Sequence, residues 1–409
     1  MEDQLDSSVF TFAVDIVDEG PDAVVAAAAD RAGVNGVSLA VAYHHARDIL
    51  PHNPRRHLFF HEGGTVFFHP EMSRYGDLRP RPGELAAERD PLDELCTAAE
   101  RRSIHARAWT VYLHNNRLGQ AHPDCTPENA FGDRLLTELC PANPEVRRYA
   151  VALTADLARY PIRSIMAEAL HFRTIEHGFH HERYFLDLGP TARFLLGLCF
   201  CSSCRDVARS EGIDAEGLRR VVGKMLLGWF EDGSGGHDPL DPVRLGRLAG
   251  GEMTGYLEAR FRVVTSLVGE VQDVATAAGV RLTFSAHGGS AMGGRTQSAD
   301  AADAAWILGV DLEGVSSVID EFEVLGYAAE TPRIASLLGD YEAAISARTD
   351  IAVALRPMWP DTATARDLAE RVQLIAASGA SRLDFYHYGL MPDRSIDWVG
   401  TAMSQVADR

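Results

Sequence analysis

Cys199, Cys201 and Cys204 place three thiols within six positions, Cys199-Phe200-Cys201-Ser202-Ser203-Cys204. C-x-C-x-x-C spacing lets three thiolates fold over one soft divalent ion. A fourth ligand then closes a tetrahedron of the kind that holds Zn2+. Four protein ligands leave no position for water, so such a metal is structural and pins the segment that carries it. The candidates for the fourth ligand are the remaining cysteines, Cys140, Cys125 and Cys96.

A second kind of chemistry is offered by carboxyls that follow apolar runs. Glu168 follows Ser164-Ile165-Met166-Ala167, a strand-like run that would deliver its carboxyl to a sheet end, where a general acid/base can work. Val318-Ile319-Asp320-Glu321-Phe322-Glu323 is the richest segment for a partner carboxylate. Alternation along a strand points only one of Asp320 and Glu321 into an enclosed site. Glu321 is the preferred partner, with Asp320, Glu323 and Asp15 as the other candidates. The chain has 16 histidines, and His44, His45, His114, His171, His287 and His387 all follow strand-like runs. Neutral imidazoles there can bind hydroxyls, tune a carboxyl or ligate a catalytic metal. Trp109, Trp359, Tyr386, Tyr388 and Phe172 offer aromatic faces beside them, and Asn115 and Arg356 add polar contacts.

The elements that must position these residues alternate along almost the whole chain. Strands are predicted over Phe10–Val17, Gly36–Tyr43, Ala106–Leu113, Ser164–Ala169, Val280–Ala286, Gly314–Ile319, Ile351–Leu355 and Arg382–Tyr386, with helices between them. Eight strand–helix units imply parallel strands and favour an α/β fold, a closed (β/α)8 (TIM) barrel in one domain over residues 1–409. Long insertions follow strands 2, 3 and 4, at residues 51–89, 114–139 and 172–279. An open doubly wound sheet is the runner-up, but no G-x-G-x-x-G or phosphate loop follows the first strand. The barrel reading places functional residues at the C-terminal strand ends. Within the first insertion, Leu58 to Pro70 reads as two aromatic strands joined at Glu62-Gly63-Gly64, a hairpin that could cap the mouth. Arg74, Arg79 and Arg81 after it could meet an anionic group.

Cys140 opens Cys140-Pro141-Ala142-Asn143-Pro144-Glu145-Val146-Arg147. Here the chain resembles the glycoside hydrolase family 42 β-galactosidases. That family has a Cys-Pro-x-x-Pro-x-x-Arg segment after strand three, an acid/base Glu at the end of strand four, and then a C-x-C-x-x-C cluster. The resemblance implies a structural zinc on Cys140, Cys199, Cys201 and Cys204, and an acid/base role for Glu168. It is specific over about residues 140–206 and architectural elsewhere. In two places the chain departs from the family. Ala167 stands where Asn usually precedes the acid/base Glu. Strand seven ends Leu355-Arg356-Pro357-Met358-Trp359, without the nucleophilic Glu. The chain therefore reads as a divergent relative, and the retaining mechanism is not carried over whole.

Lys and Arg total 39 and Asp and Glu 58, for a net charge of −19. Such a chain repels phosphate backbones and anionic membranes, so neither nucleic acid nor a membrane is an expected partner. The N-terminus Met1-Glu2-Asp3-Gln4-Leu5-Asp6 lacks a signal-peptide pattern, and a cytoplasmic location is expected. The leading expectation is hydrolysis of a glycosidic bond in a small glycoside or oligosaccharide, with Asp15, His44, His45, Trp109, His114, Asn115, His171, His287, Arg356, Trp359, Tyr386 and His387 lining the substrate site. The alternatives are a metal-dependent barrel hydrolase or isomerase using the histidines, and a carbohydrate-binding barrel without activity. Oligomeric state stays open, with the resemblance pointing to a homo-oligomer.

Overall fold

The computed structural model describes residues 5–176, 183–285 and 302–407. Eight parallel strands form the sheet: β1 (Asp6–Thr11), β2 (Gly36–Tyr43), β3 (His105–Val111), β4 (Ser164–Glu168), β5 (Arg281–Ser285), β6 (Glu321–Leu325), β7 (Asp350–Leu355) and β8 (Arg382–Phe385). Each pairs with its neighbours in sequence, and β1 pairs with both β8 and β2, so the sheet closes into a (β/α)8 barrel. Helices cover the outside, which is why the strands are apolar on their outward face: Val37, Leu39, Ile165, Phe284, Phe322, Val353 and Phe385 are all buried. The long connections fall after β2, β3 and β4, as expected.

Alternation turns the other set of side chains into the bore, and its lower half is charged rather than aliphatic. Arg382 binds Glu321, lies 2.7 Å from Asp384 and 3.8 Å from Glu323. Arg107 reaches Asp6 at 2.5 Å and Ser164 at 3.1 Å, and Ser8 joins Ser38 and Asp384. Removing one partner of such a buried network leaves the others uncompensated. Arg382→Met is therefore expected to cost about 3–5 kcal/mol, read as a lower denaturation midpoint.

This network corrects the expected strand six. Residues 314–319 do not form a strand; Leu312–Ser316 is a short helix, and the strand begins at Glu321. Glu321 therefore opens β6 at the barrel's N-terminal end, where it binds Arg382, Thr283 and Ser381. Asp320 accepts from Gln272 and from the Leu282 backbone at the same end. The apolar run Val315 to Ile319 mimics a strand, whereas two glutamates obscure the real one. Only the arginine that faces them across the bore makes the segment a strand interior.

The first strand also differs from expectation. It ends at Thr11, and Ala13–Glu19 is a helix. A short apolar run does not by itself distinguish strand from helix. Asp15 settles the matter locally: its carboxylate accepts from the Phe12 backbone and the Thr11 hydroxyl, both at 2.9 Å, closing the first turn. Asp15 is thus a buried capping group rather than a strand-end ligand.

The aromatic hairpin pairs differently as well. Leu58–His61 runs antiparallel to Ala46–Ile49, with Asp48 opposite Phe59. Thr65–Val66 instead pairs with β2 at Ala42 and Tyr43. Gly64 makes this switch at φ +67°, donating to the Tyr43 carbonyl, in a space where a Cβ would strike the Asn115 side chain.

Candidate functional site

The C-terminal ends of the strands converge on Glu168, the last residue of β4. Its Oε2 accepts from Trp109 Nε1 at 2.6 Å. Trp109 faces inward from β3, two residues above Arg107, and its ring packs 5.2 Å from Phe10, 5.1 Å from Tyr43 and 5.9 Å from Tyr386. Tyr43 is brought into this wall by a β-bulge. Ala40 pairs with Trp109 but Ala42 with Thr110, so the extra residue Val41 reverses the parity and turns Tyr43 inward. Tyr327, just past β6, lies 5.8 Å from Tyr386 and beneath the Arg356 guanidinium at 4.4 Å. Arg356 is anchored through Nε by Asp361. Burial raises the Tyr43, Tyr327 and Tyr386 hydroxyls above their ordinary range, and Glu168 adds to each. The site is thus a carboxyl set among aromatic faces, with one arginine at its edge.

Histidines form the adjoining wall. His44 stacks on Tyr43 at 4.3 Å, donates its Nδ1–H to the His45 carbonyl at 2.8 Å, and lies 5.0 Å from the His114 ring. His114 Nδ1 bonds Glu138. Burial lowers His44 to about 4 and His114 to about 3, while it pushes Glu138 up to about 8 against the pull of Arg173. Burial thus disfavours the charged form of both His114 and Glu138. Beside this pair, a cleft of about 410 Å³ is lined by Leu136, Thr137, Thr174, Arg183 and Tyr184 among others.

These shifts make stability depend on pH with a definite sign. Glu138, and Asp15 at about 7, are raised above their ordinary values by burial. They favour the fold at low pH, and that contribution is lost as pH rises through about 7–8. The lowered His44 and His114 act oppositely, and their contribution is lost as pH falls from about 6.5 toward 4. Above pH ~6.5 only the carboxyls still titrate. The melting temperature is therefore expected to fall between pH ~6.5 and ~8.5. Glu138→Gln should flatten that decline; an equally steep decline in the variant would refute this account.

Several expected site residues lie elsewhere. Glu321, Asp320 and Asp15 are accounted for above. Asn115 caps the helix Asn116–Ala121 by accepting from the Leu118 backbone at 2.9 Å. His45 is exposed beside Asn116. His171 donates to the Phe172 carbonyl and packs on Phe284, which faces outward from β5. Trp359 is 84% exposed. His387 is buried behind the wall, 3.8 Å from the Phe12 ring, accepting from the Gly389 backbone. His287 lies outside the described residues. Of the expected substrate-binding residues, Trp109, Tyr386, His44, His114 and Arg356 gather at Glu168. Tyr43, Tyr327 and Glu138 join them unforeseen. A bulge, a loop return and a buried His114–Glu138 contact leave little trace in a linear pattern.

Apart from this mouth, Cys140, Cys199, Cys201 and Cys204 form a buried cluster that can hold a metal ion. Cys140 Sγ lies 3.9 Å from Cys199 and 3.5 Å from both Cys201 and Cys204, and Cys199 and Cys204 are 3.6 Å apart. Zinc–thiolate bonds of about 2.3 Å in a tetrahedron put sulfurs about 3.8 Å apart, whereas a disulfide needs about 2.05 Å. The residues present fit the ion. Tyr256, on the long helix Gly251–Ala277, donates to the Cys199 carbonyl at 2.5 Å. The cluster thus ties the insertion after β3 to the one after β4. Arg260, one helical turn beyond Tyr256, is buried, with its guanidinium 4.5 Å over Phe172. It adds a positive charge that the cysteines feel.

Several solved structures resemble this chain in fold. The β-galactosidase from the psychrophilic Marinomonas ef1 superposes with a TM-score of 0.56 at 11% identity, over 98% of this chain and 59% of that one. The α-L-fucosidase isoenzyme 2 from Paenibacillus thiaminolyticus gives 0.53 at 12%, over 98% and 49%. The C-terminal domain of a putative chitinase from Desulfitobacterium hafniense gives 0.51 at 8%, over 99% and 100%. The chain thus spans about half the length of the fucosidase and 59% of the β-galactosidase. These likenesses establish the fold, a (β/α)8 barrel shared with those proteins. No family model and no curated protein matches the sequence. Among the described residues, no helix is long and apolar enough to cross a membrane.

Proposed function

We propose that this chain is a glycoside hydrolase that cleaves a glycosidic bond in a small glycoside or oligosaccharide, with Glu168 as the general acid/base. The observation that carries the reading is the placement of Glu168: the last residue of β4, at the barrel mouth, held by Trp109 and enclosed by Tyr43, Tyr386 and Tyr327. In glycoside cleavage one carboxyl protonates the departing oxygen while a second carboxylate supports attack at the anomeric carbon. The Trp109 indole holds the Glu168 carboxyl in one orientation. The aromatic faces suit the apolar side of a pyranose and exclude water, and Arg356 and His114 can fix hydroxyls. The neighbouring β-galactosidase and α-L-fucosidase barrels support the reading at the level of fold.

Zinc is the metal we propose for the cysteine cluster, in a structural role. Four thiolates complete its coordination, so it supplies rigidity and no open position for chemistry. Against the metal-dependent alternative, no described group of three or more histidines and carboxylates is close enough to share an ion. Among the described residues, the cysteines are the only group of three or more metal-ligating side chains close enough to share an ion.

The test is a panel of chromogenic glycosides varying in sugar and anomeric configuration. At least one should be hydrolysed by wild type with a turnover that depends on Glu168. Tight sugar binding with no hydrolysis anywhere in the panel would replace this reading with that of a binding barrel.

A further inference from the structure

Strand β7 ends at Leu355, followed by Arg356 and no glutamate, and Glu321 lies at the wrong end of the bore. A different carboxylate faces the mouth. On the hairpin Ala46–Ile49/Leu58–His61, alternation sends Arg47, Ile49, Leu58 and Phe60 outward to solvent and Ala46, Asp48, Phe59 and His61 inward. His61 Nε2 lies 2.9 Å from Asp48 Oδ2. The His61 ring is buried against Phe12 at 4.3 Å and Tyr43 at 5.1 Å. Those are the same two rings that contact Trp109, the partner of Glu168, at 5.8 and 5.1 Å. The Asp48 side chain keeps 20% exposure, enough to meet a ligand, whereas that of His61 keeps 1%. The Tyr43 and Tyr386 hydroxyls are under the influence of both Asp48 and Glu168.

We propose that Asp48 is the second catalytic carboxylate, the base for the attacking water, and that His61 is its positioning residue. This rests on the glycosidase reading above. Asp48 and Glu168 belong to different elements, with aromatic rings packed between their partners. A single displacement requires a carboxylate separation wide enough for both a sugar and a water, and the assignment of Asp48 as base requires that gap between it and Glu168. The water gives a proton to the Asp48 carboxylate as its oxygen bonds to the anomeric carbon. The glycosidic C–O bond breaks, its electron pair goes to the departing oxygen, and that oxygen takes the proton from Glu168. Exchange with solvent returns Asp48 to carboxylate and Glu168 to acid. The product first released has the opposite anomeric configuration to the substrate.

The experiment compares full-length wild type, Asp48→Asn, Asp48→Ala and Glu168→Gln on a glycoside that wild type hydrolyses, with product configuration followed by NMR. Asp48→Asn is expected to lower kcat by ~10²–10⁴-fold with KM little changed. Sodium azide is expected to restore turnover of Asp48→Ala by forming a glycosyl azide, which an unfolded variant could not do. His61→Gln, which keeps a donor, should retain more kcat than His61→Ala at similar KM. Asp48→Asn within a few-fold of wild type while Glu168→Gln is inactive overturns the assignment of Asp48 and leaves the glycosidase reading standing. Both variants at the wild-type rate overturn the two together. Retained configuration in the first product overturns the role of base.

Discussion

Glu168→Gln is expected to lower kcat by ~10²–10⁴-fold, the usual worth of a positioned acid/base, while sugar binding survives. Glutamine is close to isosteric and can still accept from Trp109 Nε1 through its amide oxygen, so the wall of Trp109, Tyr43 and Tyr386 should keep its arrangement. The loss should depend on the leaving group. A glycoside whose leaving group departs as a stable anion needs little protonation, and its rate should fall less than that of an alkyl glycoside. Trp109→Phe, which removes the indole donor but keeps a ring, should show a smaller loss in the same direction. Undiminished turnover of an alkyl glycoside by Glu168→Gln would end the acid/base assignment.

The second large effect concerns the cysteine cluster. About one zinc per chain is expected by elemental analysis, and Co2+ taken up in its place should give the visible absorption of a tetrahedral tetrathiolate. Structural zinc in small domains is coupled to folding by roughly 10 kcal/mol or more. Cys204→Ser, or strong chelation, is therefore expected to loosen the insertion after β4 well before the barrel melts. The readout is limited proteolysis across helices Ser202–Ser210 and Ala215–Asp232, which begin at or just beyond the cluster. Cuts there without loss of the barrel's far-ultraviolet signal would fit a pin on an insertion. Wild type with no bound metal, or a variant as resistant as wild type, would not.

The two effects are separable. The cysteines lie outside the bore, and no metal-ligating side chain joins them to Glu168 among the described residues. Metal loss should lower stability first, and activity only as the insertion loosens. Loss of Glu168 should leave melting nearly unchanged.

Much of the architecture was legible in the linear pattern. Parallel strands covered on both faces read as short apolar runs, so Gly36–Tyr43 and Ser164–Glu168 stand out, and the regular return of such runs implies closure. Cys199, Cys201, Cys204 and Glu168 were readable for the same reason, since ligand spacing and a strand end are local properties, whereas Cys140, 59 positions from Cys199, was singled out only by the family resemblance. Pairing across the bore is not local. Glu321 reads as a mouth carboxylate in the linear sequence, but in the fold it pairs with Arg382, sixty-one positions away. Asp15 looked like a strand-end ligand until its hydrogen bonds to Phe12 and Thr11 made it a helix cap. Asp48 and His61 carried no motif, because their meeting depends on a hairpin register, and their approach to Trp109 depends on a bulge in β2. Sequence alone therefore determined the barrel, three of the four clustered thiols and the strand-end position of Glu168. The tertiary structure decided which other charged groups line the mouth and which neutralise one another in the bore. Burial makes an unpaired charge too costly, so each such side chain takes its role from whichever partner the closed sheet sets opposite it.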